Sequence, residues 1–410
     1  MNDTNTLFLA ILKAALKGQR PAIQQNISPE QWQALFHMAG IHNVLPLFYE
    51  AVYAHPSPAK EQALLAAMKQ KVRQQVILQT MRTAEFLELF QALTDAGASP
   101  LVVKGIVCRQ LYPKPDHRPS SDEDILIPPE AFELCHPVMT RMGLVTTEAD
   151  PDKVYEVPYR RPNSPLYIEL HKHLFPPESD AYGDLNRFFA DAAQRTVELT
   201  VQGHSIRTLG HTDHLLYLLL HAYKHFLHSG FGIRQVCDIV LYTNSYGKNV
   251  DWARILKNCK EIRAEKFAAA MFAIGKNHLV FDPHRACYPE SWQEIEVDEL
   301  PMLEDLLSAG LYGSASMSRK HSSNITLDAI AAQKQGRKAR GGLVASVFPS
   351  AAKLEGRYPY LKKYPYLLPV AWCNRLWHYG GERRKDSNAA EALKIGSERI
   401  ELMKYYGILE

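Results

Sequence analysis

The feature that most constrains this chain is a change of period. Before residue 98 and after residue 209 apolar residues recur at helical intervals, as in LFLAILKAALKG, TMRTAEFLELFQALTDAG and HTDHLLYLLLHAYKHFLH. Between these blocks stand short β-branched and aromatic runs bounded by Gly, Pro and Asn. A helical stripe and a pleated strand are not interchangeable, because side chains repeat about every 3.6 residues in one and about every 2 in the other. The pattern predicts an α+β fold, a small mixed β-sheet core with helical domains on its N-terminal and C-terminal sides. The expected divisions are a helical domain over 1–97, the sheet core over 98–208, a second helical domain over 209–290 and a mostly helical extension over 291–410.

Within the core, SPLVV reads as a strand that meets Lys104-Gly105 and turns into a helix. A polar loop, PKPDHRPSS, leads to the strand DEDILI, which Pro128-Pro129 stops. A helix is expected over 130–142, then strands in DKVYEVPYR and PLYIELHKHL. VELTV and HSIRTL, joined by Gln202-Gly203, read as a two-residue hairpin. Helices follow to about residue 279 and near 298–310. A basic loop, KQGRKAR, occupies 334–340, and a last helix starts near 388.

Composition narrows the class. A chain of 410 residues with 46% hydrophobic content buries a real core, and a net charge of +3 gives no support for a protein that coats nucleic acid. The six cysteines are far apart with no C-x-x-C pair, so they read as reduced thiols of a cytoplasmic protein. The apolar N-terminal run has no basic flank and is broken by Lys13, so export is not expected. No stretch reaches the roughly 18 apolar residues of a membrane span.

The chemistry concentrates in RPSSDEDILI. In a strand, Asp122 and Asp124 project to one face while Glu123 and Ile125 take the other. Magnesium prefers oxygen ligands and is usually held by one or two carboxylates plus substrate phosphates, which suits a D-x-D pair at a strand end. Glu169 is the third acid of interest. It shares a strand face with Tyr167 and His171, and an acid within a buried strand needs a partner or an ion. Lys104 supplies a point charge for an anion, and Gly105 permits close approach of backbone N–H groups to a phosphate. Together these parts describe a cradle for a metal-bound triphosphate.

The run LVVKGIVCRQLYPKPDHRPSSDEDILI, with YIELHKHLF, LLYLLLHAYKHF and IRQVCDIVLY, resembles the uncharacterised nucleotidyltransferase family of the polymerase-beta-like superfamily, over about residues 85–285. The resemblance implies a nucleotidyltransferase core and two-metal transfer of a nucleoside monophosphate from an NTP to an acceptor hydroxyl. It places Mg²⁺ or Mn²⁺ on Asp122, Asp124 and Glu169, with Glu169 helping to deprotonate the hydroxyl. Two residues depart from the usual pattern: Lys104-Gly105 stands where the superfamily has Gly-Ser, and Glu169 where Asp is commoner. The helix carrying Lys224 and His225 is implied to cover the nucleotide, with those side chains reaching base or phosphates. The acceptor, whether small molecule, RNA or protein, is not specified.

Other residues have two readings. Arg118, Ser120 and Ser121 either contact phosphates or cap a loop, and His171 either orients Glu169 or fills the core. Arg234 and Asp238 are either an ion pair or substrate contacts. His221, His225 and His228 have the spacing of a zinc site, hence an alternative zinc-dependent hydrolase, although the glutamate of H-E-x-x-H is missing. A non-catalytic nucleotide sensor or docking scaffold is a further alternative. The segment 353–385 interleaves Lys and Arg with Tyr and Trp, so it either contacts a partner or packs its aromatics inward.

Overall fold

The computed structural model describes residues 2–23, 26–54, 62–309, 317–336, 354, 358–374 and 389–410. The chain divides into two compact units. The first comprises Met1–Tyr223 with Phe231–Leu311, and the second Lys224–Gly230 with Tyr312–Glu410.

The first unit opens with three packed helices, α1 (Asp3–Leu16), α2 (Pro29–Ile41) and α3 (Leu45–Val52). Their starts are written in the sequence. The Asn2 side chain accepts from the Asn5 N–H, while Ser28 and Gln31 form a reciprocal capping box with Pro29 at the first helical position. In the interior of this group Phe48 stacks on Phe8 and meets Phe36 edge to face, its ring centroid 5.7 Å from each. The 34-residue helix α4 (Gln62–Asp95) follows, and Phe86, Leu89, Phe90 and Leu93 bury its C-terminal half.

The sheet has six strands in the order β3-β4-β2-β1-β6-β5: β1 (Leu101–Val103), β2 (Glu123–Leu126), β3 (Glu156–Arg160), β4 (Tyr167–His171), β5 (Thr196–Val201) and β6 (His204–Leu209). β1 runs antiparallel to β2 and parallel to β6, and β2 runs parallel to β4. This is the expected mixed sheet of an α+β fold. Its central strand, β1, is buried at all three positions, which is why it reads as an unbroken apolar run rather than an alternating one. At the β5–β6 turn both Gln202 (φ 49°) and Gly203 (φ 84°) have positive φ, as a two-residue turn matched to strand twist requires.

Helix α5 (Gly105–Arg109) leaves the end of β1, and α6 (Phe132–Arg141) follows β2. The helices α7 (His211–His228), α8 (Ile233–Tyr246), α9 (Trp252–Glu261) and α10 (Glu265–His278) come next, then α11 (Glu290–Gln293) and α12 (Leu300–Ala309). Asp213 in the first turn of α7 binds Arg195 at 2.8 Å and also Arg254, which ties this helix to the chain preceding β5 and to α9.

In the second unit, α13 (Met317–Lys334) packs against α14 (Ala389–Tyr405). The basic loop expected at 334–340 lies largely outside the described residues, as does much of the segment 353–385. In its described part, Leu354, Tyr358, Leu361 and Ala371 bury together, with Tyr360, Leu367, Leu368 and Trp372 packed on them. Among the described residues no helix is long and apolar enough to cross a membrane.

Candidate active site

Three elements of the sheet converge on one acid. Asp124 is the second residue of β2, pairs in register with Val103 of β1 and Glu169 of β4, and is almost wholly buried. Its Oδ1 lies 3.1 Å from His171 Nε2, and its Oδ2 lies 2.9 Å from Lys104 Nζ. Glu169 Oε2 is 3.7 Å from the same His171 nitrogen, and Glu156 of β3 lies 3.5 Å from His171 Nδ1. The period of two in β4 accounts for this face: Tyr167, Glu169 and His171 turn to the acids while Ile168 and Leu170 enter the core.

One ligand atom each from Asp124, Glu169 and His171 lies within 4.8 Å of the others, and among the described residues no other His, Cys, Asp or Glu trio comes so close. Asp122 stands immediately before β2 and is half-buried. No described residue forms a hydrogen bond or ion pair with it, but it is near enough to act electrostatically on Lys104 and Glu169.

These proximities set the charges. Burial opposes ionisation of Asp124, but Lys104 and His171 outweigh it and hold the carboxyl well below the usual range. Burial also opposes the charge on His171, and its hydrogen bond to Asp124, together with the nearby carboxylates of Glu169 and Glu156, overcomes this and raises it to about 9. Glu169 is raised, first by burial and then by the neighbouring Asp124 and Asp122, against the pull of His171. Burial works against the Lys104 ammonium too, yet Asp124 keeps its pKa above the ordinary value.

Lys104 occupies the turn between β1 and α5 with φ 61° and ψ −107°, a region that residues with a Cβ avoid. Its backbone N–H donates to His214 Nε2 at 3.1 Å, and its Nζ lies 3.2 Å from His221 Nε2. The spacing of His221, His225 and His228 offers His221 as a zinc ligand under the alternative reading. Instead its Nε2 meets the lysine and its Nδ1 meets Gln235 Nε2 at 3.4 Å. No zinc trio forms from His221, His225 and His228.

Glu123, the middle acid of the motif, has a different role. It is fully buried on the opposite side of the strand from Asp124, where it pairs with buried Arg109, accepts from Ser120 Oγ at 3.0 Å and accepts from the Ile106 N–H at 3.1 Å. This bears on Gly105. A Cβ there would lie 2.2 Å from Glu123 Oε2, so the space above the glycine belongs to the chain's own carboxylate rather than to a phosphate.

Arg118 also departs from its phosphate reading. It is buried and binds Asp238 through two hydrogen bonds of 2.7 and 2.6 Å, with Tyr112 Oη donating to the same carboxylate at 2.8 Å. Against the cost of burial, Asp238 fixes its charge. Two of the three guanidinium nitrogens are thus committed to a carboxylate rather than to a phosphate, and Asp238, weighed as a substrate contact, is their partner. Ser121 is exposed, and Lys224 and His225 are half-buried in the second unit.

The loop that delivers Asp122 is clamped by Gln79 and Arg82, which carried no local signal, and by Arg234, whose expected partner Asp238 binds Arg118 instead. Gln79 accepts from the Ser120 N–H at 2.8 Å, Arg82 donates to the Ser120 carbonyl and to the Pro165 carbonyl at 2.9 Å, and Arg234 donates to the Pro119 carbonyl. Gln79 and Arg82 lie on α4, remote in sequence, so only a polar residue on the buried stripe of that helix hinted at them. A cavity of about 540 Å³ is at the other end of the sheet, between Leu101, Leu126, Lys172 and Arg207, away from these acids.

Among known families, the one described as uncharacterised nucleotidyltransferase matches residues 28–279, more than half of the chain. The chain belongs to this family. The match takes in α2 to α4, the whole sheet and all of α7 to α10, so every residue around Asp124 lies within the nucleotidyltransferase region. Membership supports a role in nucleotidyl transfer. Among solved structures, the chain is similar to an antigenic nucleotidyltransferase-like protein from Paracoccidioides brasiliensis, at 11% identity and a TM-score of 0.31, over 50% of this chain and 95% of that one. No curated protein matches the chain.

Proposed function

We propose that this protein transfers a nucleoside monophosphate from an NTP to an acceptor hydroxyl, releasing pyrophosphate, with two divalent cations held by Asp122, Asp124 and Glu169. The observation that carries the reading is the convergence of Asp124, Glu169 and His171 on one point beside Asp122, in a chain of a nucleotidyltransferase family. The donor set fits the group it would hold: it is rich in carboxylate oxygens, as Mg²⁺ and Mn²⁺ prefer. Asp124 Oδ2 is moreover buried without an aligned hydrogen-bond donor, since its contact with Lys104 is an ion pair only.

Bound cations would supply charge for the attacking and leaving oxygens of an in-line displacement. The protein's own residues do the rest. Lys104 provides the positive charge for the triphosphate, and Glu169, whose proton affinity is raised, accepts the proton of the acceptor hydroxyl. His171 bridges Glu169 and Asp124 and so fixes the direction in which both carboxylates point.

The test is pyrophosphate release and label transfer from each NTP with Mg²⁺ or Mn²⁺, against small-molecule, RNA and protein acceptors, beside an Asp122→Ala, Asp124→Ala double variant. Transfer by the wild type that disappears in the variant is expected. NTP binding without transfer to any acceptor favours a sensor, and the absence of metal-dependent NTP binding overturns the proposal.

A further inference from the structure

The turn that carries Lys104 is held by groups that no motif contains. Val102 of β1 and Thr208 of β6 are register partners in the parallel pair, and the Thr208 hydroxyl donates to the Val102 carbonyl at 2.6 Å. That donation uses the only hydroxyl proton, so Thr208 Oγ1 acts as acceptor toward His214 Nδ1, 3.1 Å away. With its proton on Nδ1, the His214 ring presents Nε2 as an acceptor, and the Lys104 N–H donates to it at 3.1 Å. Every donor and acceptor in the relay has one assignment, and the four groups form a chain from the sheet to the strained residue.

His214 is itself fixed. It is fully buried, its ring lies 4.8 Å from Tyr242, and the preceding residue, Asp213, is anchored by Arg195 and Arg254. Burial first, and the nearby His211 second, hold it down to about 3, so the ring stays neutral as the relay requires. The conformation of Lys104, unfavourable for any residue with a Cβ, persists because this neighbour over-determines it. At the other end of the same residue, the ammonium rests between Asp124 Oδ2 and His221 Nε2.

We infer that His214 is a positioning residue: by accepting the Lys104 backbone N–H it holds the strained turn that keeps the Lys104 ammonium on Asp124, where it competes with a divalent cation until nucleotide draws it away. The inference rests on the proposed role of Asp124 as a metal ligand. Its consequence is unusual in sign. Loosening the turn frees Asp124, so metal binding in the absence of nucleotide tightens, whereas damage to the fold would weaken it.

The experiment is titration of the full chain with Mn²⁺ alone, followed by electron paramagnetic resonance, for wild type, Lys104→Met, His214→Ala, His214→Gln and Thr208→Val, each also melted to check cooperative unfolding. Lys104→Met and His214→Ala are expected to bind Mn²⁺ about five- to tenfold more tightly than wild type, as removal of one competing ion pair gives. Thr208→Val shifts in the same direction, and His214→Gln, which retains an acceptor for the Lys104 N–H, returns toward wild type. In transfer assays His214→Ala raises KM for the NTP. Cooperatively folded His214→Ala with unchanged or weaker Mn²⁺ binding overturns the inference; if that variant does not fold, an unchanged Thr208→Val does so. Wild type that binds no Mn²⁺ overturns the metal site and this inference together, while tightened Mn²⁺ binding without any nucleotidyl transfer overturns the transfer reading alone.

Discussion

Glu123 and Asp124 are adjacent acids with opposite consequences. One faces Arg109, Ser120 and the start of α5, and the other faces Lys104, His171 and Glu169. Removing each should therefore give a different phenotype. Asp124→Asn is expected to fold and to lose transfer by roughly a hundred- to a thousandfold, the range for deleting a group that stabilises charge in a transition state; steady-state kinetics with Mn²⁺ and a thermal melt together check this. Glu123→Ala strands the buried Arg109 guanidinium and should cost about 3–5 kcal/mol of stability, read by urea denaturation. A Glu123→Ala variant as stable as wild type would show that Arg109 finds other partners. Strand alternation is local, so the opposite faces taken by Glu123 and Asp124 were legible, whereas Asp122 stands before β2 and outside the group formed by Asp124, Glu169 and His171. Nothing local distinguished Glu123, since its partner Arg109 and its hydrogen bond to Ile106 depend on how α5 folds back over β2.

At the scale of elements, the strand-to-helix turn and the β5–β6 hairpin use glycine for different reasons. Gly203 has φ 84° and nothing near the position of a Cβ, so Gly203→Ala is expected to cost only about 1 kcal/mol through backbone strain. Gly105 has no such strain, but a methyl group there collides with the Glu123 carboxylate. Gly105→Ala should cost about 1–3 kcal/mol as overpacking and should also lower transfer, because Glu123 and α5 share the turn with Lys104. Denaturation midpoints of the two variants, measured side by side with activity, separate the cases: loss of activity in Gly203→Ala and none in Gly105→Ala would contradict this reading. The hairpin was readable from Gln202-Gly203 because the turn type follows from two residues. The role of Gly105 was misread because a glycine between strand and helix looks the same whether a phosphate or a side chain fills the space above it.

At the scale of the whole molecule, His42 joins regions far apart in the chain. It caps α2, its ring lies 5.8 Å from Phe8, and its Nδ1 accepts weakly from the Ile233 N–H at the start of α8, at 3.4 Å. Burial lowers its pKa from the ordinary 6.5 to about 4. Above pH 6.5 neither the folded nor the unfolded state carries the proton, so this group adds no pH dependence. Between about 6.5 and 4 the unfolded chain takes a proton that the folded protein refuses, and stability falls on acidification by up to about 1.4 kcal/mol per pH unit. Thermal melts across this window should show the fall, and His42→Gln should make it shallower by up to about 1.4 kcal/mol per pH unit, leaving the share that buried His214 adds over the same range. An unchanged slope in that variant would place the acid sensitivity elsewhere.

The sequence by itself determined the class of the fold, the central apolar strand, the hairpin and the D-x-D motif with Glu169 on the correct strand face, because periodicity, turn chemistry and strand alternation act over a few residues. Tertiary structure alone decided which of these groups meet. It brought His171 to Asp124, gave Arg118 to Asp238 across 120 positions of sequence, and carried His214 to Lys104 across 110. Charges and hydrogen-bonding groups act over a few ångströms in space and carry no period along the chain, so their partners become visible only when the sheet has set the register.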